Sequence, residues 1–388
     1  MMRLTIGIGV VLCACALRAD LRSANTDWMV GKVGAFMHYW PKPENWPKPE
    51  TIGSTADFDV PRLKEQLVEM GVDYFIITLG QNDNTYIAPN AAYPRIAGEG
   101  SPTVFSRRDI PAEIIRALKG TGIRFGLYSP CQPPMRDEVA ERNFGFEPIT
   151  PGKIADWRMT DRGAANWAKV VGEWAERYGE DVAIWWFDGA RPDMGFTEAH
   201  GRMLRDALRK GNPKMAISFN YGLLDWAPAA ERAYGVACER DPGLAERVPF
   251  REFRSKMEGM GLPADERDRD NPMKWTGGYL EDIRLVRWTE AADYTSGEVA
   301  EPFRFMPGDR WFDGAQHHVL TYLGHYWGER HCRYPDEIWI RFLREYLAKG
   351  GCISIDMSVD RKPGSIRFAA AHVNQMRRIL RAVRTCRP

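Results

Sequence analysis

The sequence alternates short, almost continuously apolar runs with longer segments whose apolar residues recur at helical spacing. The clearest apolar runs are Tyr74–Gly80, Arg124–Pro130, Ala183–Phe187 and Gly351–Met357. A strand that is apolar on both faces is buried on both, as in a parallel sheet covered by helices. Seven or eight such strand–helix units fit into about 360 residues, and this number favours a closed (β/α)8 barrel over an open sheet.

The helices between these runs have recognisable ends. Asp59 and Asp109 stand where an N-cap is expected, and Gly71 and Gly120 follow the last apolar position of each helix. Ile366–Arg384 is the expected closing helix, and little chain remains after it. We therefore predict one barrel domain over residues 20–388.

Residues 240–290 interrupt the alternation of apolar runs and helical segments. They are rich in Arg, Asp and Glu, contain several Pro and Gly, and show weak periodicity. We predict a long loop excursion here. Long loops of barrels often lie over the active site, and a solvated surface insertion is the alternative.

The first 19 residues have the features of a secretory signal. One Arg precedes an apolar run from Leu4 to Leu17, which is too short to span a bilayer, and small residues follow. We expect an exported protein, periplasmic or extracellular, with no membrane-spanning segment. Leu12–Cys15 also resembles a bacterial lipobox, in which Cys15 would carry a lipid anchor. Cleavage by ordinary signal peptidase near Ala19 is the alternative.

Charge and aromatic content narrow the classes of ligand. The sequence holds 53 Lys and Arg against 52 Asp and Glu, so nothing electrostatic favours nucleic acid or an anionic membrane. Fourteen Trp and fourteen Tyr are many for this length. They indicate either a large aromatic core or a sugar site, because the apolar faces of pyranose rings stack on indoles.

Barrel enzymes carry their catalytic groups at the carboxyl ends of the strands. The polar residues that end the apolar runs are His38, Gln81, Asn82, Asp83, Gln132, Asp188, Asn220, Asp293 and Glu298. The sequence contains no phosphate-binding glycine loop of standard spacing, no HExxH and no GxSxG. Dinucleotide-binding, zinc-protease and α/β-hydrolase interpretations therefore fail, and we expect no cofactor.

Asp188 ends the run Trp185-Trp186-Phe187 and precedes Gly189. A carboxylate directly after a buried strand is rigidly held, as a nucleophile must be. The alternative is a helix cap or a turn residue. The same four letters recur at Trp311–Gly314 with no strand before them, so we expect Asp313 to be a turn or helix-start residue.

A cluster of possible metal ligands lies near the end of the chain: His317, His318, His325, His331 and Cys332. Adjacent His residues on a strand point to opposite faces, and His325 and His331 have the wrong phase to share a helical face. We therefore predict no metal site. Packing or hydrogen bonding to a sugar is the expected role.

Several of these segments, taken in order, resemble glycoside hydrolase family 29, the α-L-fucosidases. They are Gly34–Trp40, Asp109–Ser129, Tyr178–Gly189, Asp293–Glu298, Leu323–Gly328 and Lys349–Asp356. The resemblance covers the chain from about Trp28 to its end and implies a (β/α)8 barrel. It makes Asp188 the nucleophile and Glu298 the acid/base, and it places His38 against the sugar.

The chain departs from the family pattern after the second strand. The family has KHHDGF there, with both His residues on the sugar, and this chain has Gln81 and Asn82. Amides still hydrogen-bond hydroxyl groups, so we predict sugar contacts from Gln81 and Asn82. The family's TPE segment is SGE here, which leaves Glu44 and Glu239 as fallback acids.

Trp186 and Asn220 are further predicted sugar contacts. The plain alternatives are that Trp186 belongs to the core, and that His38 and Asn82 only satisfy backbone groups at the top of the barrel.

The resemblance implies a secreted retaining exo-glycosidase that removes terminal α-L-fucose from an oligosaccharide or glycoconjugate. A retaining double displacement predicts carboxyl groups about 5–5.5 Å apart, whereas about 6.5–9.5 Å favours inversion. Two other hypotheses stay open. One is a retaining glycosidase for another sugar, and the other is a non-catalytic sugar-binding barrel that keeps Asp188 for structure.

Overall fold

A computed structural model describes residues 25–41, 55–149, 157–222, 243, 285, 287–325, 327–362 and 364–385. The predicted signal segment with Cys15, the fallback acids Glu44 and Glu239, and all of the 240–290 excursion except residues 243, 285 and 287–290 lie outside the described residues.

Seven strands form one sheet in which every neighbouring pair is parallel. In chain order they are β1 (Val33–Met37), β2 (Tyr74–Thr78), β3 (Arg124–Pro130), β4 (Val182–Asp188), β5 (Ala216–Phe219), β6 (His318–Tyr322) and β7 (Cys352–Asp356). Their order across the sheet is β6-β7-β1-β2-β3-β4-β5. The apolar runs of the sequence are these strands, and β1–β7, apart from the ends of β3 and β4, are buried on both faces.

Residues 293–299 occupy the eighth position, between β5 and β6. The Asp293 N–H donates to the Ile217 carbonyl of β5 at 2.7 Å. On the other side, the Leu320 N–H of β6 donates to the Gly297 carbonyl at 2.8 Å, and the Val299 N–H donates to the Leu320 carbonyl at 2.9 Å. These bonds join the two edges of the sheet, and they confirm the predicted (β/α)8 barrel. We call residues 293–299 the closing segment.

The described part of the chain has eight α-helices: α1 (Val60–Met70), α2 (Ala92–Ala97), α3 (Ile110–Leu118), α4 (Glu138–Phe144), α5 (Asp161–Tyr178), α6 (Glu198–Arg209), α7 (Asp336–Ala348) and α8 (Ala370–Thr385). Asp59 and Asp109 cap α1 and α3 as predicted, since their side chains accept the backbone N–H groups of Arg62 and Ala112. None of the helices within these described ranges is long and apolar enough to cross a membrane.

The closing helix was predicted over Ile366–Arg384, and the predicted start of this helix was wrong. Residues 366–368 belong to a strand, Ser365–Phe368, which pairs antiparallel with Val359–Lys362, and the helix begins only at Ala370. The described residues also contain three pairs of two-residue strands: Thr85–Tyr86 with Val104–Phe105, Glu147–Pro148 with Trp157–Arg158, and Trp311–Phe312 with Ala315–Gln316.

Buried apolar residues of the described ranges form two clusters. The larger lies between the helices and the sheet, and the smaller fills the barrel interior. Aromatic rings dominate the interior cluster, which includes Phe36, Tyr74, Tyr128, Trp186 and Tyr294. Because six Trp side chains are fully or almost fully buried, core packing accounts for much of the aromatic content.

Candidate active site

Three polar side chains meet at the carboxyl ends of neighbouring barrel positions. Asp188 is the last residue of β4, Asn220 directly follows β5, and Glu298 lies on the closing segment beside β6. Because all barrel positions run in the same direction, their ends share one rim, and the sequence-predicted site residues are therefore brought together.

Asp188 accepts three hydrogen bonds at this rim. Its Oδ2 accepts from the Tyr128 hydroxyl at 2.6 Å. Its Oδ1 accepts from Asn220 Nδ2 at 3.0 Å and from the Gly189 N–H at 2.9 Å. The side chain is partly exposed. Such a carboxylate is held in one orientation and is still reachable from solvent.

Glu298 is connected to Asp188 through a single amide. Asn220 Nδ2 donates to Glu298 Oε2 at 2.5 Å and to Asp188 Oδ1 at 3.0 Å. Since both bonds end on the same nitrogen, the two carboxylate oxygens are at most 5.5 Å apart. Asn220 itself is fully buried.

Tyr128 lies inside the barrel beneath the carboxylates. Its ring stacks on Trp186, with centroids 5.2 Å apart and an interplanar angle of 17°. Gln81 Nε2 donates to the Tyr128 hydroxyl, which in turn donates to Asp188. Burial, and after it the neighbouring Asp188 carboxylate, raises the pKa of Tyr128 well above its usual value. Tyr128 is therefore a permanent hydrogen-bond donor to Asp188.

His38 is anchored by a second carboxylate on the same rim. Its Nδ1 lies 2.9 Å from Asp356 Oδ1, and its backbone N–H donates to the same oxygen at 3.2 Å. Asp356 ends β7 and is buried. The imidazole lies among the rings of Phe36, Trp40 and Trp327. A carboxylate only accepts, so Nδ1 is the donor in this pair.

Gln81 and Asn82 lie on the same rim and are both partly exposed. The Asn82 N–H donates to Gln81 Oε1 at 3.1 Å, and Asn82 Oδ1 accepts the Met135 N–H at 3.2 Å. Asn82 thus orders a loop after β3, as one of the alternatives proposed. The contacts of both residues with a sugar stay predictions.

Trp186 is only 2% exposed. Its indole N–H donates to the Ser296 carbonyl at 3.2 Å, which ties β4 to the closing segment. The ring therefore belongs to the barrel interior, and little of its surface is left for a sugar.

Two residues of this arrangement were not among the predicted site residues. Asp356 follows a buried run, as Asp188 does, so the rule that selected Asp188 also selects Asp356. Tyr128 lies within its strand, and its sequence context is that of a core residue. The register that places Tyr128 opposite Trp186 carries no sequence signal.

The structure also describes the duplicate motif and the histidine cluster. Asp313 has φ +48° in the tight turn between Trp311–Phe312 and Ala315–Gln316, so the prediction of a turn residue is confirmed. Burial lowers the pKa of His317 to about 4 and that of His318 to about 3. No group of three or more His, Cys, Asp or Glu side chains within the described residues could hold a metal ion.

No protein-family model matches the sequence, and no curated protein matches it. Solved structures with the same barrel are nevertheless found. The endo-fucoidan hydrolase P5AFcnA from glycoside hydrolase family 107 is 16% identical over 94% of this chain and 95% of its own, with a TM-score of 0.59. A variant of the endo-fucoidan hydrolase MfFcnA4, from the same family, reaches a TM-score of 0.57 at 15% identity. This chain spans about half of the length of that enzyme, 52%, and is itself covered to 91%.

Alpha-L-fucosidases have the same fold. Isoenzyme 1 from Paenibacillus thiaminolyticus is 16% identical over 94% of this chain and 76% of its own, with a TM-score of 0.55. AlfC from Lactobacillus casei, in complex with its α-L-fucose product, is 13% identical over 94% of this chain and 98% of its own, with a TM-score of 0.53. At these identities the likeness establishes the shared fold.

Proposed function

We propose that this chain is a retaining glycoside hydrolase that removes terminal α-L-fucose from oligosaccharides or glycoconjugates. The observation that carries the proposal is the pair Asp188 and Glu298 at the carboxyl end of the barrel, in which Asp188 Oδ1 and Glu298 Oε2 are at most 5.5 Å apart. This upper bound on their nearest bridged oxygens agrees with the spacing of about 5–5.5 Å between the carboxyl groups of retaining enzymes, and inverting enzymes have a wider spacing. The fucosidases and fucoidan hydrolases that share the fold support fucose as the sugar.

The reaction proceeds in two displacements. Asp188 attacks the anomeric carbon while Glu298 gives a proton to the departing glycosidic oxygen, and a covalent glycosyl-enzyme forms. Glu298 then takes a proton from water, which attacks the same carbon and releases Asp188. His38, Gln81 and Asn82 line the rim beside the pair and are the proposed hydroxyl contacts.

The test is hydrolysis of p-nitrophenyl α-L-fucoside by the purified chain, Asp188→Asn and Asp313→Asn. Asp313 is a matched control, because it stands in the same Trp-Phe-Asp-Gly context in an exposed turn away from the rim. We expect Asp188→Asn to lose more than about 10³-fold in kcat and Asp313→Asn to keep wild-type activity. Asp188→Ala should regain turnover with azide.

The stereochemistry is read separately by proton NMR of the first product. Retention gives α-L-fucose before mutarotation, and β-L-fucose would contradict the proposed mechanism. Full activity in Asp188→Asn would remove Asp188 as the nucleophile.

A second candidate is internal cleavage of a sulfated fucan. The similarity to P5AFcnA, with 94% and 95% of the two chains covered, favours it. Release of oligosaccharides from fucoidan without free fucose would establish the endo reaction. Turnover of a different aryl glycoside from a panel would instead establish another sugar.

Export of the chain, and one barrel domain over residues 20–388, are parts of the same proposal. They rest on the apolar run between Leu4 and Leu17 and on the βα pattern. The intact mass of the protein from its native host tests export. A chain starting near Asp20 supports ordinary cleavage, a diacylglycerol-modified Cys15 supports the lipid anchor, and an uncleaved Met1 contradicts export.

A further inference from the structure

We propose that Asn220 is the positioning residue of this site, which holds the nucleophile and the acid/base at a fixed separation through one amide group. The inference rests on the proposed function and deepens it. It replaces the expectation from sequence that Asn220 contacts the sugar.

The backbone of Asn220 is fixed on both sides. Its N–H donates to the Phe187 carbonyl at 2.7 Å, and its own carbonyl accepts the Ala190 N–H at 2.7 Å. These two neighbours flank Asp188 at the end of β4. The asparagine is thus hydrogen-bonded to the same stretch of backbone that carries the nucleophile, and the side chain has little freedom to move relative to it.

Both hydrogens of the amide are committed. One Nδ2 hydrogen bond goes to Asp188 Oδ1 and the other to Glu298 Oε2. The Asp188 carboxylate can only accept, and Glu298 Oε2 accepts here while Oε1 carries the proton of the proposed acid, so this orientation of the amide serves both side chains. Asn220 Oδ1 is buried from solvent and has no hydrogen-bond partner in the described part of the chain. No polar atom of Asn220 is therefore exposed for a sugar hydroxyl.

The shared donor also bears on the charges that the proposed mechanism needs. A hydrogen bond donated to a carboxylate favours its ionised form, as a nucleophile requires, whereas a nearby negative charge favours the protonated form of a second carboxyl group, as an acid requires. Among the described residues, Tyr128 from β3 and Cys131, which follows β3, are buried titratable groups that interact with Asp188. Neither ionises near neutral pH, because burial raises both pKa values well above the usual range.

The experiment compares Asn220→Leu, Asn220→Ala and Asn212→Ala. Asn220→Leu keeps the branched shape of the side chain and removes both donated hydrogens. Asn212 is the matched control, a buried amide at the other end of β5 whose Nδ2 donates to the Val182 carbonyl at 3.0 Å. The readouts are kcat and KM on p-nitrophenyl α-L-fucoside, the pH profile of kcat/KM, and the melting temperature.

We expect both Asn220 variants to lose about 10²-fold in kcat with KM within about threefold, since a misplaced pair loses orientation rather than affinity. The acidic limb of the profile should move up by about one pH unit. Asn212→Ala should lower the melting temperature and leave both limbs in place. A raised KM with an unchanged pH profile would instead make Asn220 a sugar ligand. An unchanged pH profile with a lower melting temperature as the only effect would make Asn220 a structural residue.

Carboxyl 13C NMR titration of the Asp-labelled protein separates this inference from the proposed function. The resonance of Asp188 is assigned with Asp188→Asn, and its pKa is compared between the wild type and Asn220→Leu. A higher pKa of Asp188 in Asn220→Leu supports the inference even if no glycoside is turned over. The absence of turnover would contradict only the proposed function. An unchanged pKa overturns the inference.

Discussion

The two oxygens of Asp188 are not equivalent. Oδ1 accepts from Asn220 and from the Gly189 N–H, whereas within the described part of the chain Oδ2 accepts from Tyr128 alone. A carboxylate oxygen has two in-plane lone pairs. Those of Oδ1 are both in use, so Oδ2 is the oxygen with a lone pair left for the anomeric carbon. In the proposed mechanism, Tyr128 therefore donates a hydrogen bond to the oxygen that attacks the anomeric carbon.

Tyr128→Phe removes only the hydroxyl group and so tests the role of its hydrogen bond to Asp188. In the proposed second displacement, Asp188 departs from the glycosyl-enzyme as an anion, and the hydrogen bond from the Tyr128 hydroxyl stabilises that anion. A hydrogen bond to a charged group contributes about 1.5–3 kcal/mol, so we expect kcat to fall roughly 10- to 150-fold. The fall in kcat/KM should be smaller, because the nucleophile loses charge in the first step. A pre-steady-state burst of nitrophenol should accompany it.

Tyr294→Phe is the control for that variant. Tyr294 is buried in the same barrel interior, but its hydroxyl donates to the Trp185 carbonyl at 2.8 Å and not to a carboxylate. Equal losses in the two variants would assign the effect to packing of the barrel interior. A larger loss of kcat/KM than of kcat in Tyr128→Phe would contradict the role in the second step.

How far the site could be predicted depends on where each residue lies in its strand. Asp188, Asn220 and Glu298 follow strand ends, and the direction of parallel strands alone brings such residues to one rim. Tyr128 and the bridging role of Asn220 depend on which side chains face each other across the barrel. That is set by strand register and tilt, which the order of apolar residues does not encode.

At the scale of elements, the closing segment is the part of the barrel that the apolar pattern missed. Residues 293–299 read Asp-Tyr-Thr-Ser-Gly-Glu-Val and form no apolar run. The segment binds its neighbours partly through side chains: the Thr295 hydroxyl donates to the His318 carbonyl at 2.7 Å and accepts the His318 N–H at 2.8 Å. Polar residues can occupy a barrel position when their side chains supply the missing ladder bonds.

Gly297→Ala is expected to damage both the barrel and the site. Gly297 has φ +58°, and a Cβ there would come within 2.1 Å of the His318 carbonyl oxygen. The backbone has to shift, at a cost of roughly 2–4 kcal/mol in the free energy of unfolding. Because Glu298 is the next residue, kcat should fall as well. Urea unfolding and the fucosidase assay measure the two effects.

Gly308→Ala is the matched control for the closing segment. A Cβ at Gly308 would meet no atom within 4 Å, and its backbone is not left-handed. We expect it to change the free energy of unfolding by less than about 0.5 kcal/mol. Wild-type stability and activity in Gly297→Ala would show that the close approach to β6 is not needed for closure.

At the scale of the whole molecule, buried ionisable groups limit stability on both sides of neutral pH. His317 and His318 have folded pKa values of about 4 and about 3, below the usual 6.5. The unfolded chain therefore binds more protons below about pH 6.5, and stability is lost as the pH falls toward these values. Glu141 on α4 lowers the stability of the folded state as the pH rises. Burial, and then the nearby Asp137 carboxylate, raises its pKa well above the usual value.

Glu141→Gln is expected to make the protein less sensitive to alkaline pH. Both carboxyl oxygens of Glu141 are buried without a hydrogen-bond partner among the described residues, so burial favours the neutral acid in the folded state. The unfolded chain releases this proton at the usual carboxyl pKa. The wild type therefore loses stability as the pH rises from there to the raised folded pKa, and an amide of the same shape loses none.

Free energies of unfolding at pH 5 and pH 9 measure the difference. Between pH 5 and pH 9 the free energy of unfolding of Glu141→Gln should rise relative to that of the wild type. The expected rise is up to about 1.4 kcal/mol for each pH unit over which folded wild-type protein keeps the proton on Glu141. Glu138→Gln is the control, because Glu138 lies on the same helix but is exposed and pairs with Arg142 at 3.0 Å. It should show no such gain. An equal difference from the wild type at both pH values would mean that Glu141 is ionised in the folded protein, and that an unidentified cation or donor compensates its charge.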